Sequence, residues 1–149
     1  MKKTFILFCS LAMSTMLMSQ DSVSNKEAEV QQTIIKFFEA ISNRDSTILK
    51  HYITDDILLL EYGSLWNVDT LIQKVIKSNT SIDFSRKNNF NFIRTNVHGK
   101  TAWVNYHLYS DIIKDRKQSS VHWLETVVMI KVKNKWKIKL LHSTLISRT

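Results

Sequence analysis

A carboxylate among aromatic residues is the first feature of this sequence that could do chemistry. Tyr62 follows Glu61 directly, and Trp66 follows a few residues later. Aromatic neighbours exclude water from a carboxylate, which raises its pKa and allows it to act as a general base. The other interpretation is a carboxylate at a wet rim, with Tyr62 and Trp66 as packing residues. Glu61 is therefore a catalytic candidate, and all three are ligand-binding candidates.

Two histidines and a threonine form a second candidate group near the end of the chain. Alternation gives the last predicted strand one face with Trp136, Ile138, Leu140, His142 and Thr144. The strand before it has a face with His122, Leu124, Thr126, Val128, Ile130 and Val132. A loop over 133–135 pairs Val132 with Trp136, because cross-strand partners point to the same side. The same register places Thr126 opposite His142, and we expect this face to be the inner one.

This group could transfer protons or orient a ligand, so His142 is the second catalytic candidate. The alternative is that His142 is a hydrogen-bonded core residue. Two histidines are too few for a metal site, since a structural zinc needs four ligands and a catalytic zinc about three plus water. Glu61 could be a third ligand of such a site. Even so, we predict no metal.

Several function classes lack their sequence signature. No glycine-rich phosphate loop and no G-x-S-x-G element is present. Cys9 is the only cysteine and lies in an N-terminal apolar run, so the domain beyond it has neither a disulfide nor a cysteine nucleophile. The net charge of +8 is spread along the chain. We therefore predict no cofactor and no nucleic-acid partner.

The N-terminus has the pattern of an export signal. Two lysines precede a mostly apolar run over 5–18, and the small residue Ser19 follows. The run is shorter than the roughly 20 residues of a membrane-spanning helix, although a retained anchor is the alternative. We predict a signal peptide over 1–19 and a single domain over 20–149. The domain is expected to be exported, periplasmic or extracellular, with no membrane attachment after cleavage.

Helices come first among the elements that position the candidate residues. Ser24 and Glu27 have the spacing of a capping box. The apolar residues that follow recur on one helical face: Val30, Ile34, Phe37, Phe38 and Ile41. Asp45 and Asn67 are placed to cap two further helices, and Asp55-Asp56 indicates a turn before a short strand over 57–61.

Strands account for the rest of the chain. Runs over 90–97, 101–112, 121–132 and 136–147 alternate and are separated by polar turns. Helices followed by long sequential strands indicate an α+β fold with an antiparallel sheet.

This order of elements resembles the nuclear transport factor 2-like superfamily. The stretch Ile41-Ser42-Asn43-Arg44-Asp45 followed by Asp55-Asp56 is similar to its "L-N-x-x-D … D-D" entrance. The ending from Trp136-Lys137-Ile138 to His142-Ser143 is similar to the "W-K-I … H-S" close of its SnoaL-like and calcium/calmodulin-kinase-association-like branches. The resemblance covers roughly residues 26 to 147. It implies a cone-shaped curved antiparallel sheet wrapped around a long N-terminal helix, with a pocket at the open end.

One branch of this superfamily, the ketosteroid isomerases, is similar over the first helix and the Asp-Asp turn. The resemblance places Glu61 at the position of their catalytic aspartate and Phe37 at that of their oxyanion-binding tyrosine. A phenylalanine has no hydrogen to donate to an enolate. The nearest candidate for their second acidic donor, Glu125, is expected on the outer face. Steroid isomerisation is therefore disfavoured.

The opposite sheet face is rich in apolar and aromatic residues. Alternation is expected to place Ala102, Val104, Tyr106 and Leu108 inward. The outward set is then a candidate dimer interface: Trp103, His107, Tyr109, Trp123 and Met129. That surface is large for a small monomer, and members of the resembling family often dimerise through it, so we expect a homodimer.

Three functions are compatible with these features. The first is an exported domain that binds a small apolar ligand in the cone and dimerises, without assigned catalysis. The second is a SnoaL-like enzyme with Glu61 as base and His122 or His142 as partner, acting on a carbonyl or polycyclic substrate. The third is a pure association module with a filled cone. The candidate ligand-binding residues are Phe37, Glu61, Tyr62, Trp66, Tyr106, His122, Thr126 and His142.

Overall fold

The first helix is fixed by its cap and by its apolar face. A computed structural model describes residues 24–149, and α1 occupies Asn25–Ser42. The backbone N–H of Glu27 donates to Ser24 Oγ at 3.3 Å, and the N–H of Ser24 donates to Glu27 Oε2 at 2.9 Å, which confirms the capping box. The predicted apolar stripe is buried, together with Ala40. The predicted signal peptide lies outside the described residues.

Two short helices follow, and each begins at the residue predicted to cap it. Helix α2 covers Ser46–His51, and the Asp45 side chain accepts from two backbone N–H groups of its first turn. Helix α3 covers Val68–Leu71, with the Asn67 side chain as its cap, and continues as a wider π-helical segment over Ile72–Lys77. Leu49 of α2 and Leu71, Ile72 and Ile76 of the second helical region are buried, whereas Ile48 of α2 is 40% exposed.

Six strands form one sheet in the described residues. Their bounds are β1 Ile53–Glu61, β2 Ser64–Trp66, β3 Ser85–His98, β4 Thr101–Lys114, β5 Lys117–Val132 and β6 Lys135–Arg148. The order across the sheet is β2-β1-β6-β5-β4-β3. Neighbours are antiparallel except β1 and β6, which are parallel. The predicted α+β cone is confirmed, with a mixed rather than a purely antiparallel sheet.

The region around β1 differs from the prediction. Asp55 and Asp56, predicted to form a turn, lie inside the strand, where the register against β6 is irregular. Lys139 of β6 pairs with the Asp56 carboxylate there. The turn comes later, at Tyr62-Gly63, where φ is 49° and 71°. It leads into β2, a strand that the sequence pattern did not reveal because it has only three residues.

The last hairpin turns more tightly than predicted and then bulges. Its loop is Lys133-Asn134, with φ of 47° and 62°, and Val132 pairs with Lys135 rather than with Trp136. Met129 pairs with Ile138, but Val128 pairs with Leu140, so Lys139 is an extra residue in β6. The bulge offsets the shorter loop. The predicted pairs Thr126–His142 and Leu124–Thr144 are therefore confirmed.

The shorter loop and the bulge together reverse which side of the sheet these pairs face. The loop places Lys131 rather than Val132 opposite Trp136, which reverses the faces of β5, and the bulge reverses the faces of β6 beyond Lys139. Up to Ile138 the inward residues of β6 are the predicted ones, but beyond Lys139 they are Leu141 and Ser143. On β5 the inward row is Val121, Trp123, Glu125, Val127 and Met129. The sequence-based assignment of faces was wrong for β5 and for the second half of β6, whereas the inward row of β4 is confirmed.

The core lies between α1 and the concave side of the sheet, which we call the inner face. The convex side, away from α1, is the outer face. Helix α1 packs against α2 and, within the sheet, chiefly against β3 and β6. Within residues 24–149, no helix has both the length and the apolar character needed to cross a bilayer.

Candidate functional site

A cavity opens between α1, the π-helical segment and the inner face of the sheet. Its volume is about 400 Å³. Apolar side chains form the larger part of its wall, among them Phe37, Phe38, Ile41, Leu59, Leu71, Trp123 and Leu141. Glu61, Tyr62 and Trp66 also line it, where the sequence placed them. Tyr106 is fully buried behind this wall. The part that these residues play in ligand binding stays a prediction.

The predicted histidine group is on the other side of the sheet. His122, Thr126 and His142 alternate with the buried residues of β5 and β6, so their side chains lie on the outer face. His142 is exposed and belongs to the strand beside Glu61, but the two side chains point to opposite faces. The prediction that this group lines the pocket was wrong, because the bulge at Lys139 and the two-residue loop were not foreseen.

The outer face carries its own polar pairs. His107 Nδ1 and His122 Nε2 are 2.8 Å apart, and the ring of Tyr109 stacks on His122 with centroids 4.3 Å apart. The Asn105 amide donates to Thr126 Oγ1 at 3.0 Å. These contacts join β4 to β5 and give the two histidines a structural role. They do not place them near the cavity.

The predicted dimer interface is divided between the two faces. Trp103, His107 and Tyr109 lie on the outer face, as expected. Trp123 and Met129 point inward and are buried, so they cannot contribute to an outer interface. The reason is again the inverted alternation of β5.

Glu125 is the main residue of the site that the sequence misplaced. It was expected on the outer face, but it lies in the cavity wall with 3% of its surface exposed. The Ser143 hydroxyl donates to Glu125 Oε1 at 2.8 Å. Burial raises the pKa of Glu125 to about 7, although Tyr106 and Ser143 lower it. Glu125 shares a strand face with Val121, Trp123, Val127 and Met129, but the opposite face of β5 is also apolar, so the sequence held no signal that placed Glu125 inward.

Glu61 lies in the same cavity, near Ser143. Burial raises its pKa, and the Ser143 hydroxyl, the Arg86 guanidinium and His142 lower it. The raised pKa therefore favours the interpretation of Glu61 as a desolvated carboxylate over that of a carboxylate at a wet rim. Two carboxyl groups with raised pKa values share one cavity, which is an arrangement suited to moving a proton.

Arg86 is one of the basic residues that line the cavity, and no sequence pattern pointed to it. Its Nε donates to Asn88 Oδ1 at 2.9 Å and its Nη2 donates to Ser110 Oγ at 3.1 Å. Its guanidinium lies 5.5 Å from the ring centroid of Phe38 and 5.3 Å from that of Trp123. In the described part of the chain, Arg86 makes no ion pair within 4.0 Å. Burial lowers the pKa of Arg86, while Glu125 and Glu61 raise it.

A hydrogen-bonded chain holds Arg86 in place. The Ser110 hydroxyl donates to Asn88 Oδ1 at 2.7 Å, and the Asn88 amide donates to Ser42 Oγ at 3.0 Å. Ser42 is the last residue of α1, so the chain connects β3 and β4 to the helix. The guanidinium is thereby fixed before any ligand arrives.

Metal ligands are not grouped in the part of the chain that is described. Residues 24–149 contain no group of three or more His, Cys, Asp or Glu side chains arranged to hold an ion. The charged groups that line the cavity are two carboxyls, two guanidiniums and two lysine ammonium groups, and the Ser143 hydroxyl bonds to one of the carboxyls. These groups can bind a ligand by hydrogen bonds and charge, and they can transfer protons.

Comparison with known proteins agrees with this architecture. The family model of the SnoaL-like domain matches residues 30–147, most of the chain and all of the cavity wall except Arg148. The chain belongs to the SnoaL-like domain family. No curated protein matches it at the sequence level.

Several solved structures show a similar fold at low sequence identity. A nuclear transport factor 2-like protein from Cytophaga hutchinsonii is 17% identical, with a TM-score of 0.69, over 83% of this chain and 100% of that one. A ketosteroid isomerase-like protein from Erwinia carotovora atroseptica is 14% identical, with a TM-score of 0.67, over 83% and 98%. A type 2 hexachlorocyclohexane dehydrochlorinase is 12% identical, with a TM-score of 0.64, over 83% and 87%. The predicted superfamily is confirmed, and identities this low support the fold alone.

The buried Glu125 carboxyl predicts an unusual dependence of stability on pH. It binds its proton more tightly in the folded protein, with a pKa of about 7 against an ordinary 4.5. Its contribution is therefore fully present below about pH 4.5 and is lost as the pH rises through 7, a change on the order of 3 kcal/mol. Glu125→Gln keeps the acceptor for Ser143 and removes the ionisation. We expect the variant to gain stability over the wild type between pH 5 and pH 8, measured by urea unfolding.

The matched control is Glu29→Gln, which changes an exposed glutamate. It should follow the wild type at both pH values. If Glu125→Gln and the wild type lost the same free energy of unfolding between pH 5 and pH 8, the carboxyl would not be the desolvated group that the structure indicates.

Proposed function

We propose that this domain binds a small molecule with a largely apolar body in the cavity beneath α1. The observation that carries the proposal is a cavity of about 400 Å³ whose wall combines a set of apolar side chains with polar and charged ones. Small-molecule sites in proteins have this size and this composition. An association module with a filled cone would not need such a space.

The fixed polar groups favour one orientation of the bound ligand. Arg86, Glu61 and Glu125 all reach the wall from strands of one sheet, and none of them belongs to a long loop. A site built on rigid elements loses little conformational entropy when it binds. The apolar surface then supplies affinity, and the polar groups select the orientation of the ligand.

Neighbouring isoleucines on β4 provide a test with a matched control. Ile112 lines the cavity, while the next residue, Ile113, is 41% exposed and points away from it. Ile112→Trp should fill the cavity and weaken binding of the neutral dye Nile red by at least about tenfold, because the dye and the indole compete for one volume. Ile113→Trp should bind as the wild type does. Fluorescence titration measures both affinities, and thermal unfolding verifies that both variants fold.

Unchanged Nile red binding in a folded Ile112→Trp variant would contradict the proposal. So would a wild-type protein that does not bind the dye at all. Equal losses in the two variants would mean that the dye binds elsewhere.

The two carboxyl groups favour proton transfer as a second candidate function. Deprotonated Glu61 can remove a proton from a carbon acid, while protonated Glu125 donates a hydrogen bond to the oxygen that gains charge. In this proton-transfer mechanism the partner of Glu61 is Glu125 and not a histidine, since His122 and His142 lie on the outer face. Two of the similar structures carry enzyme names, isomerase-like and dehydrochlorinase, which is a further reason to test catalysis.

A generic carbon acid can test this second candidate without knowledge of the substrate. Nitrobenzisoxazole opens its ring when a base removes its ring proton. We expect the wild type to accelerate this reaction and Glu61→Gln to lower kcat/KM by about 100-fold, a usual contribution of a general base. The rate should rise with pH through a pKa above the ordinary glutamate value, because burial raises the pKa of Glu61. Equal rates for Glu61→Gln, Glu29→Gln and the wild type would exclude Glu61 as the base.

We also propose that the domain is exported and forms a homodimer through the outer face. The N-terminal sequence pattern supports export. Exposed aromatic and aliphatic side chains support the interface, with Trp103 at 38%, Leu124 at 38% and Tyr109 at 43% exposure. Several exposed apolar residues on one face of a sheet are typical of a surface that contacts another protein.

Native mass spectrometry of the protein recovered from an exporting cell tests both parts. The subunit mass should lack residues 1–19, and the assembly should contain two subunits. Leu124→Glu places a charge in the middle of the proposed interface and should give a monomer, whereas Ile82→Glu alters a fully exposed residue elsewhere and should remain a dimer. A monomeric wild type at high concentration would contradict the interface, and an uncleaved chain would contradict the signal peptide.

A further inference from the structure

The charges around the cavity are unbalanced. Its lining contains four basic residues, Lys74, Arg86, Lys114 and Arg148, and two acidic ones, Glu61 and Glu125. Burial raises the pKa values of both glutamates, so that together they carry less than two negative charges near neutral pH. The cavity therefore has a positive potential, which attracts anions and repels cations.

Arg86 contributes a half-buried charge without a contacting counter-ion. Its two hydrogen-bond acceptors are a neutral amide oxygen and a neutral hydroxyl. Its remaining terminal nitrogen, Nη1, donates to no protein acceptor within residues 24–149. A cation that is partly removed from water attracts an anion more strongly than one at the surface, because less water screens the charge. An anion that enters the cavity would supply an opposite charge and accept from Nη1.

The guanidinium is held in one orientation. The rings of Phe38 and Trp123 both lie beside it, and the Asn88–Ser110 pair fixes its other edge. A planar guanidinium with a fixed edge is suited to a carboxylate, since two oxygens can accept from one fork. A lysine in this position would present only a mobile point charge.

The outer basic residues of the cavity are anchored on aromatic rings. Lys74 Nζ lies 4.9 Å from the ring centroid of Trp66, and Arg148 Nη2 donates to the Tyr62 hydroxyl at 3.3 Å. Both aromatic residues line the cavity as well. The positive charge thus extends from Arg86 outward, along the path that a ligand would take.

We infer that the ligand of this cavity is an organic carboxylate with an apolar body, whose carboxylate binds Arg86 and whose body packs against Phe37, Leu59 and Leu141. This inference rests on the proposed function, because it specifies the chemical class of the molecule that the cavity binds. A neutral apolar molecule of the same shape binds the same walls but leaves Nη1 without an acceptor.

Naphthoate and its neutral amide, naphthamide, test the inference because they share one apolar body. Isothermal titration of the wild-type protein should give a dissociation constant at least about tenfold lower for naphthoate, the gain expected from a charge-assisted hydrogen bond. Arg86→Gln should abolish this preference while naphthamide binds within about threefold of the wild type. Arg94→Gln is the matched control, since Arg94 is an exposed residue of the same strand and does not line the cavity. It should retain the preference.

Each outcome decides between the inference and the proposed function. If both probes bind the wild type equally well, the cavity binds apolar molecules, but the carboxylate inference is wrong. If neither probe binds, the proposed function itself fails. If Arg86→Gln folds and still prefers naphthoate, the anion binds another basic residue and the role of Arg86 is wrong. The wild-type comparison needs no variant, so a misfolded Arg86→Gln protein would not rescue the inference.

Discussion

Burial of the apolar face of α1 against the inner face of the sheet is the interaction on which the rest of the structure depends. Each buried aliphatic or aromatic side chain of that face contributes about 1.5–3 kcal/mol relative to exposure. The helix fills the cone along its first turns, where Val30 and Ile34 have no exposed surface. Near its C-terminal end, Phe37, Phe38 and Ile41 instead border the cavity. The same packing that closes the cone at one end therefore leaves it open at the other.

Polar residues of the interior are concentrated at that open end. Ser42 at the end of α1 connects through Asn88 to Ser110 and Arg86, and Ser143 connects to Glu125. Replacing such groups with apolar residues of similar volume is often neutral or stabilising. Neither Glu125 Oε2 nor the Tyr106 hydroxyl makes a hydrogen bond of normal geometry within the described chain, although Tyr106 is near enough to affect the pKa of Glu125. The site is thus a local departure from the most stable core, which is typical of functional sites.

The sequence predicted the helices and the longer strands as segments of the chain because those depend on local rules. The capping side chains of Ser24, Asp45 and Asn67 and the period of the apolar residues in α1 all act within a few positions. The faces of β5 depend on the length of one loop, Lys133-Asn134, and those of the second half of β6 depend on one extra residue, Lys139, whose bulge has no signature in the alternating pattern. Both faces of β5 are rich in apolar residues, so alternation alone could not identify the inner one. Glu125 was assigned to the outer face from its position in the alternation, and a loop shorter by one residue moves it to the inner face.

The electrostatics of the cavity follow from one property, its low exposure to water. Desolvation raises the pKa values of Glu61 and Glu125 because their charged forms lose hydration. The same desolvation makes every interaction of the Arg86 guanidinium stronger than it would be at the surface, since less water screens it. A carboxylate ligand would gain from both effects, because partly protonated glutamates repel it less and a poorly hydrated guanidinium binds it more tightly. The two acids and Arg86 are therefore parts of one arrangement, in which the acids reduce their own charge and leave the cavity with an excess of positive charge.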